Sequence, residues 1–277
     1  MNQKRQTRLL GEGAFSQVYL VWDEIGPRAC KVSDNLKLLR NEAEYMKQLQ
    51  SKVSAFPRFY GYREGTHLLG ETTEESIKGY LLMEYIEGKH PLTYLRSILT
   101  ATTRAQAILS IGIQLCDILT VLHGREPRLV FRDLKPDNLL IDSDGRVRLL
   151  DLGLLGPEGS STAQTGTPGF AAPEQFEPGS YIDPTADIYG LGKTLETLCK
   201  TTNSKVPPRP KQLSHQLGTQ MNRTIALCTA EDPAERIPSA GILRELLTSM
   251  QGTNSDFPAR EILAGKLIIK KSIHVHT

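Results

Sequence analysis

FRDLKPDNLLIDSDGRVRLLDLG, residues 131–153, is the stretch whose reading decides the fold. It divides into a loop, a strand, a tight turn and a second strand. The apolar runs Leu139-Leu140-Ile141 and 147–150 flank Asp142-Ser143-Asp144-Gly145-Arg146. An Asp-Gly pair between two short apolar runs is a strong hairpin signal. An antiparallel hairpin brings its open ends side by side. Asn138 stands just before the first strand and Asp151 just after the second, so the two are expected to be neighbours, with Asp133 and Lys135 on the adjoining loop. Hard oxygen donors beside one ammonium suit Mg²⁺ and phosphate better than a soft metal. Any one of these residues reads equally well as a solvated loop side chain. All four in this order and spacing do not.

The chain around this hairpin has 277 residues, enough for one large domain or two lobes sharing an interface. Its formal net charge is +2, so no strong basic field points to nucleic acid as the main partner. Cys30, Cys116, Cys199 and Cys228 are widely spaced with no C-x-x-C, which suggests neither a zinc site nor a disulfide framework. The first residues, MNQKRQTRLLGEG, lack the apolar core of a signal peptide. The apolar-rich run 105–122 contains Gln106, Gln114 and Asp117 and reads as too short and too polar for a membrane span. A cytoplasmic protein is the expectation.

The order R-D-x-x-x-x-N followed by D-x-G resembles the catalytic and metal-binding loops of eukaryotic-type protein kinases. Here it stands as Phe131-Arg132-Asp133-Leu134-Lys135 through Asn138, then Asp151-Leu152-Gly153. Other motifs follow in that family's order. Residues 8–32 read as three strands, with Gly11, Gly13, Ser16 and Val18 giving G-x-G-x-x-S-x-V in the first turn. Small residues there let backbone N–H groups approach phosphate. The motif lies between strands, which argues against the Rossmann and Walker loops, since both open a helix. Ala29-Cys30-Lys31 resembles the A-x-K of the third kinase strand. Residues 36–50 show helical spacing and carry Glu42, the partner expected for Lys31; Glu44 is about 200° round the helix. Strands are expected at 59–63 and 80–86, with a polar loop over 65–78. Residues 82–88 resemble the adenine-binding hinge, with Met83 at the gatekeeper position.

Beyond the hinge, a short helix is expected at 92–99. A longer one carries the stripe Ile108, Ile111, Leu115, Ile118, Leu119 and Leu122, with Thr102 or Thr103 as its N-cap. His123 at its end reads as structural. The segment 154–174 reads as a mobile loop and ends GTPGFAAPE, close to the kinase G-T-x-x-Y-x-A-P-E. Asp187 opens a helix like the one whose aspartate holds the catalytic loop backbone. Arg236 is expected to form a buried pair with Glu174. The match covers about residues 8–250 and resembles the bacterial Hanks type of Ser/Thr kinase.

That resemblance implies a two-lobed α+β fold, with an antiparallel-sheet lobe and one helix over 1–83, a hinge over 84–88 and a mainly helical lobe over 89–250. It implies ATP in the cleft and Mg²⁺, with Mn²⁺ as the alternative. Asp151 and Asn138 would hold metal, Asp133 would orient a substrate hydroxyl, and Lys135 would neutralise the transferring phosphoryl group. Lys31, paired with Glu42, and the loop Gly11, Glu12, Gly13, Ala14, Phe15 and Ser16 would hold phosphates. Val18, Ala29 and Leu140 would sandwich adenine beside Met83, Glu84 and Ile86. Thr162 and Thr165, then Ser160 and Ser161, are the candidate autophosphorylation sites, with Arg132 as the phosphate's partner. Thr167 is expected beside Asp133 and Lys135.

Phe131 stands for the histidine of H-R-D, Leu152 for the phenylalanine of D-F-G, and Ser16 for the third glycine. They motivate the rival reading, a pseudokinase acting as scaffold or nucleotide sensor; a small-molecule phosphotransferase is the third. The prolines of 200–213 suggest that the substrate-docking helix is reduced or missing. Residues 251–277 mix apolar and basic residues and read as a packed tail rather than a surface for DNA, membrane or a partner. Substrates, activating signal and oligomeric state are not encoded in any motif.

Overall fold

A computed structural model describes residues 7–13, 16–66, 76–160, 165–202 and 213–251. The expectations for Ala14, Phe15, Ser161, Thr162, most of the 65–78 loop, the proline-containing segment 203–212 and the tail beyond 251 lie outside these residues.

The first lobe is a five-stranded antiparallel sheet with one helix. Its elements are β1 (Arg8–Glu12), β2 (Gln17–Trp22), β3 (Pro27–Ser33), α1 (Leu36–Leu49), β4 (Phe59–Gly65) and β5 (Lys78–Glu84), in the sheet order β1-β2-β3-β5-β4. β5 is therefore an interior strand. It ends at Glu84, two residues short of the expected Ile86, because the chain leaves the sheet there to cross between lobes. Asn35 caps α1, its side chain accepting from the Leu38 N–H at 3.1 Å. The buried face of α1 is Leu39, Glu42, Ala43, Met46 and Leu49, a spacing of three and four residues with one carboxylate inside it.

The second lobe is mainly helical. It holds β6 (Gly88–Lys89), α2 (Pro91–Ser97), α3 (Ala101–His123), β7 (Leu129–Val130), β8 (Leu139–Asp142), β9 (Val147–Leu149), β10 (Gly156–Pro157), β11 (Gly159–Ser160), β12 (Tyr181–Ile182), α4 (Thr185–Thr202), α5 (Leu213–Cys228) and α6 (Ala240–Gln251). The expected hairpin is β8 and β9, paired Leu139 to Leu149 and Ile141 to Val147. Gly145 takes φ +76 in its turn, where a side chain would be strained. The Asp142 carboxylate closes that turn by accepting from the N–H groups of Asp144 and Arg146.

Several expectations are corrected here. α2 stops at Ser97 rather than Leu99; Ile98 is already extended and Leu99 is 90% exposed. The cap of α3 is Thr100, whose hydroxyl accepts from the Thr103 N–H at 3.1 Å, so Thr102 and Thr103 lie inside the first turn. α4 begins two residues before Asp187, with Asp183 accepting from the Thr185 N–H at 2.7 Å. The stretch Thr102–His123 of α3 is long and apolar enough by composition to cross a membrane, contrary to the sequence expectation. Its apolar stripe is nevertheless spent inside the lobe: Ile108, Ile111, Leu115, Ile118, Leu119 and Leu122 are all buried. Nor is 154–174 free along its whole length. β10 pairs with β7, and β11 with β12, which ties residues 156–160 to the body of the lobe.

One apolar core runs through both lobes. It joins Leu39, Ala43 and Met46 of α1 and Leu81 of β5 to Phe131, Leu134, Leu139, Leu149 and Leu152, and on to α3, α4 and α6. Phe131 and Leu152, the two unusual motif residues, are fully buried within it. Each such side chain contributes roughly 1.5–3 kcal/mol by leaving water. The hairpin and α1 are thus held by one packing unit, which fixes the distance between the residues they carry.

Candidate active site

Lys31 on β3, Glu42 on α1 and Asp151 after β9 meet at one ammonium. Lys31 Nζ lies 2.8 Å from Glu42 Oε2 and 2.9 Å from Asp151 Oδ1. The other Glu42 oxygen accepts from the Leu152 N–H at 3.3 Å. Burial opposes the charge on Lys31, but Glu42 and then Asp151 outweigh it and push its pKa up. Burial raises Glu42 to about 7 against the pull of Lys31, and nearby Asp151 adds to the rise. Burial also works against Asp151, yet Lys31 and the Gly153 N–H hold it below the ordinary carboxylate range. Glu42, rather than Glu44, is the acid of α1 that contacts Lys31, and this partner accounts for a carboxylate on the apolar face of the helix.

Asp133, Lys135, Asn138 and Thr167 form a second, adjoining cluster. Thr167 Oγ1 donates to Asp133 Oδ1 at 2.6 Å and accepts from Lys135 Nζ at 2.6 Å. Lys135 Nζ is also 2.9 Å from Asp133 Oδ2. Asn138 Nδ2 donates to the same Asp133 oxygen at 2.9 Å and to the Asp133 carbonyl at 2.8 Å. The Leu150 N–H donates to the Asn138 carbonyl at 2.9 Å, so the hairpin does bring its ends together.

The loop carrying Asp133 is anchored from α4. Asp187 accepts the N–H groups of Phe131 and Arg132, each at 2.8 Å, and its Oδ2 lies 2.9 Å from His123 Nε2. Asp187 is buried, and these contacts satisfy both its oxygens. His123 is structural, as its sequence position suggested. Further out, Arg236 and Glu174 form the expected buried two-pronged pair, at 2.5 and 2.8 Å.

The residues expected around a nucleotide line one side of the sheet. Ala29 and Met83 face each other across β3 and β5 and are buried; Val18 is half-buried on β2, opposite Lys31. Leu140 is half-buried on β8. In the glycine-rich turn, the Gly13 N–H donates to the Ser16 carbonyl at 2.8 Å, while Gly11 and Glu12 end β1. The Glu84 N–H already donates to the Arg58 carbonyl, and its carboxylate accepts from Arg148 at 2.8 Å.

Asp151 and Asn138 fit a hard divalent cation. One Asp151 oxygen is held by Lys31 and Gly153; its side chain is 40% exposed. Asn138 uses its amide nitrogen on Asp133, and its oxygen remains as the hard donor. Among the described residues no three His, Cys, Asp or Glu side chains converge as a cage. Mg²⁺ is commonly held by one or two carboxylates together with substrate phosphates and water, which matches this sparse donor set.

Two placements bear on the loop candidates. The Thr165 hydroxyl is buried without a partner among the described residues, and the Thr165 N–H donates to the Gln175 carbonyl at 3.2 Å. Ser160 lies in β11. Arg132 donates to the Pro157 carbonyl, while its Nε is buried without a partner among the described residues.

Arg148 was missed by sequence reasoning. From β9 it reaches the Ala55 and Phe56 carbonyls and Glu84, linking the hairpin to the segment after α1 and to the hinge. Its alternation along β9 marks it only as a polar strand residue.

Residues 5–255 match the family described as protein kinase domain. The chain is 30% identical over 287 residues to the Ser/Thr-protein kinase ppk30 of Schizosaccharomyces pombe, covering 91% of this chain and 29% of that one. It is 26% identical to the Ser/Thr-protein kinase KIC1 of Saccharomyces cerevisiae, covering 96% of this chain and 26% of that one. It is likewise 26% identical to the Ser/Thr-protein kinase Pkn1 of Myxococcus xanthus, covering 96% of this chain and 40% of that one. The chain thus spans less than half the length of these three relatives.

Proposed function

The chain belongs to the protein kinase family, and on that premise we propose that it transfers the γ-phosphoryl group of ATP to Ser and Thr hydroxyls of protein substrates. The observation that carries this reading is the hydroxyl of Thr167, held at 2.6 Å by both Asp133 and Lys135. A substrate hydroxyl brought beside it meets a carboxylate placed to accept its proton and an ammonium placed beside the incoming phosphoryl oxygens. Proton transfer by a positioned group contributes on the order of 10²–10⁴-fold. Positioning and charge neutralisation supply most of the rest in phosphoryl transfer.

Asp151 and Asn138 would hold Mg²⁺, which would supply charge neutralisation for phosphate oxygens. Lys31, kept cationic by Glu42 and Asp151, holds phosphates from the sheet side. Phe131 and Leu152 are absorbed by the core, and neither removes a group from the two polar clusters. This favours an active enzyme over the pseudokinase reading.

The finer reading is that the loop after Asp151 is autophosphorylated. Support comes from Arg132, a cation beside that loop whose Nε has no partner among the described residues. The enclosed Thr165 hydroxyl ranks below Thr162, Ser160 and Ser161. A cytoplasmic location is also our reading, supported by four widely spaced cysteines with no C-x-x-C.

The test is incubation with labelled ATP, Mg²⁺ and a generic protein substrate, followed by phosphoamino-acid analysis. Phosphoserine and phosphothreonine are expected. Nucleotide binding with no transfer to substrate or self would replace this reading with that of a sensor.

A further inference from the structure

Arg132 has φ +71, and among the described residues it is the one non-glycine with a positive φ. That conformation is strained for a residue with a β-carbon and persists only where neighbours hold it. The N–H of Arg132 is held by Asp187 at 2.8 Å. Its carbonyl, in the peptide that leads into Asp133, is held by Gln175 Nε2 at 2.8 Å. Gln175 lies in the tight turn Pro173–Phe176, is 1% exposed, and uses all of its amide. The second Nε2 hydrogen goes to the Thr165 carbonyl at 3.0 Å, and Oε1 accepts from the Ala172 N–H at 3.0 Å.

The close approach of Gly166 points the same way. It has φ +117, and a β-carbon there would stand 2.5 Å from Ala171 Cβ, 2.9 Å from Gln175 Nε2 and 3.3 Å from the Arg132 carbonyl. The chain leading to Thr167 therefore passes against the Gln175 amide at a distance that only glycine tolerates.

We propose that Gln175 is a positioning residue that sets Asp133 and Thr167 in register by cross-linking the Arg132 and Thr165 carbonyls. Asp187 fixes one side of the strained residue and Gln175 the other, so the direction in which the chain presents Asp133 depends on both. The same amide fixes the start of the segment that delivers Thr167 to Asp133. The effect of Gln175 falls on the protein-substrate side of the site, since it touches neither Lys31 nor Asp151. The kinetic part of this inference rests on the proposed kinase activity; the structural part does not.

The experiment uses the full chain with Gln175→Met, which keeps the length and removes both donors, and Gln175→Glu, which donates only when protonated. Hydrogen exchange is measured in each, with unfolding midpoints as the control for folding. Expected in both variants at pH 8 is exchange at least tenfold faster over residues 165–172, with residues 31–49 unchanged. With a peptide substrate, kcat/KM for peptide falls on the order of tenfold while KM for ATP stays put. Lowering the pH from 8 to 6 restores part of the loss in Gln175→Glu, relative to wild type, and none in Gln175→Met. Unchanged exchange over 165–172 in a folded Gln175→Met overturns the proposal. So does a uniform rise over the whole chain. An inactive wild type whose variants still show the local exchange change would sink the kinase reading and leave the cross-link standing.

Discussion

Thr167 Oγ1 stands 2.6 Å from Asp133 Oδ1, closer than any other side chain bonded to that carboxylate. The contact places a hydroxyl, its acceptor and the Lys135 ammonium in one small cluster, and it separates two substitutions sharply. Thr167→Ser keeps the hydroxyl and is expected to retain activity within a few-fold. Thr167→Val removes it at nearly constant volume and leaves the Asp133 carboxylate with Lys135 and Asn138 only. A loss on the order of tenfold or more in kcat/KM for a peptide substrate is expected, read by steady-state kinetics. Equal activity in the two variants would mean that the hydroxyl does not position the site.

Arg236 and Glu174 are both buried, and Arg236 also donates to the carbonyls of Ala230, Thr185 and Glu231. Removing one member strands the other charge. Glu174→Ala and Arg236→Met are each expected to lower unfolding free energy by about 3–5 kcal/mol. Arg236→Lys should fall well short of rescue, because an ammonium cannot reproduce the planar two-pronged contact. Denaturant unfolding checks this; losses under about 1 kcal/mol would place the pair among weak surface bridges.

The Glu42 carboxyl has a folded pKa near 7, raised first by burial, against an unfolded value of 4.5. A raised acid pKa means that the folded state holds more protons between those values. Its contribution to stability is therefore complete below about pH 4.5 and is lost as pH rises through about 7. Glu42→Gln cannot titrate. Wild-type stability minus that of Glu42→Gln should fall between pH 5 and pH 8, by at most about 1.4 kcal/mol per pH unit. A difference that rises with pH would show that the ionised pair with Lys31 dominates instead.

Phe131 lies at the centre of the core shared by the lobes and is fully buried. Phe131→Ala is expected to cost about 3–5 kcal/mol through lost burial and the cavity left behind. Phe131→Leu should cost far less, measured by thermal or denaturant unfolding. Comparable losses in both would indicate a role other than packing.

What could be read from the sequence depended on the range of each interaction. The β8–β9 hairpin and the helical face of α1 follow local patterning written within a few residues of chain, while Lys31, Glu42, Asp133, Asn138 and Asp151 are read from motifs that resemble those of protein kinases. Arg148 and Gln175 are different: they act on backbone carbonyls up to 93 residues away, and a carbonyl has no signature in sequence. The pairings of β10 with β7 and β11 with β12 involve two residues each, too few for a periodic pattern. In the sequence the cap of α3 reads as Thr102 or Thr103 rather than Thr100, because three threonines within four residues offer the same capping hydroxyl and their chemistry alone does not order them. Glu42 shows the converse: an acid on an apolar helix face is a local anomaly that a distant lysine resolves.

The central claim is that this site transfers phosphate, and labelled ATP with Mg²⁺ tests it most directly. Wild type, Asp133→Asn and Lys31→Ala are incubated alone and with a generic protein substrate. Label in wild type, with loss of at least a hundredfold in both variants, is the predicted result. Equal label in all three, or none in a folded wild type that binds ATP, would contradict the account.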